Sequence, residues 1–253
     1  MAFDVPAVAY DRFMGRYANV LSAPFADFAG IRAGQRALDV GCGPGALTTE
    51  LVSRLGADAV VAVDPSVSFV QAARERLPHV DIREGTAEDL PFQNDSVDVA
   101  LAQLVVHFMS DPIRGLGEMR RVVRPGGVVA ANVWDFVSER SPVSLFWHAA
   151  REINPDGHGA SLLPGAHEGD LSELFTAAGL VDVTEVPLEV SMEHPDFEEW
   201  WVPYTGGVGP MGAYFALLTE KQQVALREQC RAMLPTGPFT LVSRAWAARG
   251  TVG

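Results

Sequence analysis

Five short apolar runs, at 37–40, 59–63, 80–83, 97–102 and 128–133, alternate with helix-length stretches at 46–55, 66–76 and 112–123. No other feature constrains the chain as much. Parallel neighbours in a sheet need a crossover connection, and a strand–helix–strand order supplies one. The runs are almost continuously apolar, as strands covered on both faces are. After residue 135 the pattern loosens. Helices are expected at 143–152 and 170–178, with Gly179 ending the second, followed by strands near 181–192 and 239–248. Residues 7–30 carry Val8, Phe13, Tyr17, Val20, Leu21, Phe25 and Phe28 at helical spacing. The expectation is an α/β fold whose mostly parallel sheet has helices on both faces.

The first strand runs into a glycine-rich turn, LDVGCGPGAL, with Gly41, Gly43 and Gly45 at alternate positions. Glycine permits positive φ and lets a ligand lie against bare backbone, and the next helix presents unpaired N–H groups there. Gly41, Gly43 and Ala46 formally satisfy a dinucleotide fingerprint, with Asp64 about twenty residues on as the ribose acid. Asp39 argues otherwise. A carboxylate just upstream of the turn repels a pyrophosphate and favours a cation. S-adenosylmethionine carries an ammonium and a sulfonium and no phosphate, so Asp39 points to it; the plainer reading is a hydrogen-bonding residue at a strand end.

Charge narrows the partners. Acidic residues outnumber basic ones 32 to 19, giving a net charge of −13. Nucleic-acid binding needs clustered Lys and Arg, so a small-molecule substrate is expected rather than a polyanion. Two cysteines, Cys42 and Cys230, exclude a disulfide framework or a Cys-rich metal site. The first residues lack a basic region followed by an apolar run, and no apolar stretch is long enough for a membrane span. A soluble cytoplasmic protein with no membrane partner is expected; oligomeric state is not legible.

Four ordered motifs, LDVGCGPGALT, VDPS, GTAEDLPF and RVVRPGG, together resemble the class I S-adenosylmethionine-dependent methyltransferases over about residues 36–135. YDRFMGRY near the start and LPTGPFTLVSRAWAARG near the end resemble a small-molecule branch of that family, of the type 11/25 kind. The resemblance implies a single domain with a Rossmann-like seven-stranded sheet. Residues 1–35 would form an N-terminal helical lid, 36–135 the cofactor-binding core and 193–237 a substrate cap inserted between the last two strands. It also implies S-adenosyl-L-methionine as cofactor. Gly41, Gly43 and Gly45 would underlie its methionine and ribose, Asp39 would face its amino end, and Asp64 would take both ribose hydroxyls. Pro65 and Phe69 would flank adenine, although Phe69 fits a core position equally well. In place of the family's usual acid, Thr86 would accept from the adenine amine more weakly. Ala87 would offer its N–H, and Glu88 would take over the acidic role. Gln103 would touch the cofactor through its carbonyl. Tyr10, Arg16 and Tyr17 would close over the methionine end, with Arg16 on its carboxylate or, in the plainer reading, as an exposed helix charge.

Methyl transfer needs alignment and, for some acceptors, removal of a proton. His107, just past the fourth strand, is the candidate base; the alternative is a packing histidine. His158 with Asp156, or His167 with Glu168, lacks metal-ligand spacing, and Asp111, Asn132 and Asp135 do not specify a magnesium site, so no metal is expected. Trp200, Trp201, Tyr204, Tyr214 and Phe215 lie near Gly206, Gly207, Gly209 and Gly212 and suit an apolar substrate pocket or plain packing of the cap. The reading is methyl transfer to a small organic molecule. The alternatives are an NAD-dependent oxidoreductase and a cofactor-binding protein of the same fold that does not methylate.

Overall fold

The computed structural model describes residues 7–154, 163–207 and 209–253. Its strands are β1 (Ala37–Val40), β2 (Val60–Asp64), β3 (Asp81–Glu84), β4 (Val97–Gln103), β5 (Val123–Trp134), β6 (Val181–His194) and β7 (Phe239–Thr251). They pair in the order β3-β2-β1-β4-β5-β7-β6. The first five strands are mutually parallel, and β7 runs antiparallel between β5 and β6. This is the Rossmann-like, mostly parallel seven-stranded sheet expected from the alternation. β5 begins earlier than its apolar run, because Arg124–Gly127 bulges out between the paired residues Val123 and Val128.

Helices cover both faces because alternate strand residues point to opposite sides. Leu38, Val40, Val61 and Val63 pack with Leu116 and Met119 of α5 (Pro112–Val122) and with Leu171 and Phe175 of α7 (Asp170–Ala177). On the other face Ala37, Ala62 and Leu101 meet Phe25 of α2 (Arg16–Ala29), Leu47 and Leu51 of α3 (Ala46–Leu55) and Val70 of α4 (Val67–Arg76). The sequence also supplies the stops. Asp111 accepts the Arg114 N–H at 3.0 Å to cap α5, and Pro112 follows where a missing N–H costs nothing. Gly179, at φ +81°, lets its own N–H and that of Leu180 turn back onto α7 carbonyls.

Two additions rise over the carboxyl edge of the sheet. The chain begins with α1 (Ala7–Tyr10), passes through a π-helical turn at Asp11–Gly15 and continues into α2. Between β6 and β7 lie α8 (Phe197–Trp201), α9 (Gly209–Leu217) and α10 (Glu220–Ala232). With α6 (Ser144–Ile153) they bury a separate apolar cluster of Phe146, Phe197, Trp200, Trp201 and Tyr204. Phe13 of the N-terminal segment inserts into that cluster, joining the two additions.

Candidate functional site

The glycine turn is fastened to the neighbouring strand before it meets any ligand. The N–H groups of Gly41 and Cys42 both donate to the Val63 carbonyl, at 2.8 and 3.0 Å. Gly41 has φ +70°, and a Cβ there would sit 2.5 Å from Val105 Cγ2, so only glycine fits. Gly43 has φ +55° with nothing within 4 Å of a built Cβ, which leaves its face open. Asp64, the last residue of β2, ties the turn from the other side. Its Oδ2 accepts the Gly43 N–H and its Oδ1 the Ser66 N–H, each at 2.8 Å. Each oxygen keeps a lone pair for a further donor.

A cavity of about 210 Å³ opens between this turn and the ends of β2, β3 and β4. Tyr10, Gly41, Gly43, Asp64, Pro65, Phe69, Thr86, Ala87, Glu88 and Gln103 line it, all of them expected from the sequence. The Tyr10 ring meets the Phe69 ring at 5.1 Å, tilted by 54°, so the N-terminal segment forms one wall. A narrower space of about 30 Å³ shares Tyr10, Gly41, Gly43 and Gln103 with it and reaches Asp39, Gly15 and Ala18. Sequence reasoning missed Ser66, Leu104, Val105, Phe108, Met109 and Ser110. Most are apolar residues after β4, and only the fold brings them to the edge.

The electrostatics of this space are one-sided. Asp39 is buried; its Oδ2 accepts from the Thr48 hydroxyl at 2.6 Å, and its Oδ1 has no partner. Burial, with the Asp64 carboxylate adding to it, pushes the Asp39 carboxyl up to about 7. Burial also raises Asp64, against the two backbone N–H bonds that lower it. Among the described residues, the linings of both spaces include no Lys, Arg or His. Two buried acids without a basic side chain favour a cation over a pyrophosphate in these spaces.

Four expected residues are arranged otherwise. Arg16 makes an ion pair with Glu199 of α8 at 2.6 Å and lines neither space, so its charge is already compensated. Gly45 initiates α3 at φ +100° against Leu77 and also lies outside both linings. Glu88 lines the larger cavity, but its Oε1 accepts the Ser110 and Asp111 N–H groups at 2.7 and 3.3 Å, steadying the entry to α5. His107 is buried, its ring tilted at 42° and 3.9 Å from the Phe108 ring and edge-on to Phe136. That burial pushes its imidazole down to about 3, leaving a neutral ring whose Nδ1 has no partner, and His107 lines neither space.

Among the described residues, no group of three or more His, Cys, Asp or Glu side chains is placed to hold a metal ion. His158 and Asp156 lie outside the described residues. No helix of the described residues is long and apolar enough to cross a membrane. The cap aromatics pack on one another, with Phe146 stacked on Tyr204 at 5.3 Å, which accounts for Trp200, Trp201 and Tyr204 as cluster core.

Residues 38–131 match a family model described as a methyltransferase domain. An uncharacterized methyltransferase of Mycobacterium bovis is 44% identical over 108 residues, 43% of this chain and 43% of that one. The aligned part is thus less than half of either protein. A solved structure of a putative methyltransferase from an antibiotic biosynthesis pathway of Anabaena variabilis superposes with a TM-score of 0.62 at 18% identity, covering 91% of this chain and 98% of that one. A geranyl diphosphate methyltransferase, solved in complex with S-adenosylmethionine, superposes with a TM-score of 0.55 at 18% identity over 94% of this chain and 87% of that one.

Proposed function

We propose, from the premise that this chain belongs to the class I S-adenosylmethionine-dependent methyltransferases, that it binds S-adenosylmethionine and methylates a small organic molecule. One observation carries the reading: two buried carboxylates, Asp64 on the larger space and Asp39 on the narrower one that adjoins it, face linings whose described residues include no basic side chain. When bound, the cofactor supplies a methyl group on a positively charged sulfur. The unpartnered Asp39 Oδ1 suits its ammonium, and the open lone pairs of Asp64 suit its ribose hydroxyls. Gly43 leaves room for the ligand to touch the main chain, while Tyr10, Phe69 and Pro65 offer an apolar wall for the adenine. Thr86 and the Ala87 backbone remain the polar groups at that end.

The small-molecule acceptor is supported by the acidic balance of the chain and by the geranyl diphosphate enzyme among its structural neighbours. The N-terminal segment serves as the lid of the cofactor space and α8–α10 as the cap beside it. The chain's work is mainly alignment: it holds donor and acceptor in line and keeps water out. Calorimetry with S-adenosylhomocysteine, the product form of the cofactor, tests the reading. Micromolar binding is expected for the wild type, and binding of NAD without S-adenosylhomocysteine would overturn it.

A further inference from the structure

A buried phenol, an imidazole and a carboxylate stand in line where the N-terminal helix meets the cap. The Tyr17 hydroxyl lies 3.2 Å from His194 Nε2, and His194 Nδ1 lies 2.8 Å from Glu199 Oε2. Glu199 Oε1 is held in turn by Arg16 at 2.6 Å. A carboxylate only accepts hydrogen bonds, so Nδ1 carries the imidazole proton and Nε2 presents its lone pair to the Tyr17 hydroxyl. We infer, resting on the methyl-transfer reading above, that Tyr17 backed by His194 and Glu199 takes the proton released by the methyl acceptor, which is therefore an O–H or N–H group.

Three features of the structure support a working relay over a purely structural contact. The first is place. Tyr17 itself lines neither space, but it belongs to one buried cluster with Leu104 and Trp134, just past β4 and at the end of β5, and Leu104 lines the cofactor cavity. The next residue, Ala18, lines the narrow space by Asp39. Ligands of open α/β sheets bind at this edge. The second is an open hydrogen bond. Trp134 Nε1 is buried in the same cluster without a partner, a donor awaiting a polar atom beside Tyr17. The third is direction. The His194 side chain is 0% exposed and that of Glu199 is 36% exposed, so the chain of groups leads from the interior to solvent.

The step balances without a further reactant. The acceptor's O–H or N–H proton moves to the Tyr17 oxygen as the Tyr17 proton moves to His194 Nε2. The acceptor lone pair forms the new bond to the methyl carbon, and the electron pair of the broken carbon–sulfur bond stays on sulfur. His194 then carries the extra proton against Glu199 and passes it outward. Burial lowers the His194 pKa, partly offset by Glu199, which keeps the resting ring neutral. Arg16, which also lowers it, Tyr17 and the stacked Phe239 ring complete its surroundings.

The test has two arms. Nitrogen-15 NMR of the imidazoles in the wild type reads the tautomer without any acceptor. A protonated Nδ1 and a hydrogen-bonded, unprotonated Nε2 are expected at His194, and a protonated Nε2 would overturn the relay. In the second arm, labelled S-adenosylmethionine is offered with a panel of a phenol, a catechol, a primary amine, a thioether and a tertiary amine. Tyr17→Phe and Glu199→Gln should lower kcat by about 10²–10⁴-fold, with S-adenosylhomocysteine affinity within about twofold of wild type. Glu199→Asp should recover part of the loss. Unchanged kcat in both variants, or transfer only to the thioether or tertiary amine, would sink the proposal. Failure of the wild type to bind S-adenosylhomocysteine would instead sink the proposed function, a result separate from the tautomer.

Discussion

At the residue scale the two acids of the cavity do opposite things to the free and the loaded protein. Asp64 is satisfied by backbone in the free state and has capacity left over, so its loss should be felt mainly by the ligand. Asp64→Ala is expected to weaken S-adenosylhomocysteine binding by about 2 kcal/mol, roughly 30-fold, by calorimetry. Asp39 is a stored cost. Its folded pKa near 7 lies above the ordinary 3.8, so between these values the folded chain holds a proton that the unfolded chain has lost. Ligand-free stability from this group is present below about 4 and is lost as pH rises through 7. Asp39→Asn should therefore match the wild type at pH 4 and exceed it at pH 8 by on the order of 2–4 kcal/mol in urea unfolding. The ligand pulls the other way. An ammonium needs the ionised carboxylate, so S-adenosylhomocysteine affinity should rise with pH through about 7 in the wild type. The same variant should abolish that rise. Asp39 and Asp64 were legible because each sits at a strand end beside a recognisable turn. The burial of His107, the capping work of Glu88 and the Glu199 partner of Arg16 were not, since each depends on residues distant in sequence.

At the element scale the glycines that matter are those whose neighbours leave no room. Gly127, in the bulge that opens β5, has its built Cβ 2.4 Å from Val123 Cγ1 and 2.5 Å from the Asp98 carbonyl oxygen. Gly127→Ala should cost about 2 kcal/mol or more of stability, because backbone must shift to admit the methyl. Gly126, at φ +76°, turns the same bulge, so RVVRPGG is at least a backbone motif. Strand positions were readable from apolar runs and helix ends from Asp111, Pro112 and Gly179, since these signals act within a few residues. The pairing of β7 between β5 and β6 was not readable. Antiparallel neighbours need no fixed connection length, and nearly the whole cap lies between β6 and β7.

At the scale of the whole molecule, the N-terminal segment, the insertion between β6 and β7 and the sheet meet at one edge. Asp11 pairs with Arg76 of α4 at 2.5 Å, Arg16 pairs with Glu199 of α8, and Phe13 enters the apolar cluster of the insertion. A ligand under Tyr10 should therefore damp opening of the N-terminal segment more than fluctuations elsewhere. Hydrogen exchange with S-adenosylhomocysteine should slow in Ala7–Ala29 and in the turn at 41–45, with α10 little changed. Equal slowing in all regions, or none in Ala7–Tyr10, would remove the lid role. The sequence by itself determined the alternation of strands and helices, the glycine turn and the two acids beside it. These follow from the periodicity of side chains and the backbone freedom of glycine, which are properties of consecutive residues. Only the tertiary structure decided which acids are desolvated, which histidine is buried with an unpartnered Nδ1 and which is aligned between Tyr17 and Glu199. Desolvation and hydrogen-bond partnership are set by groups far apart in sequence, 177 positions between Tyr17 and His194, and no local pattern carries them.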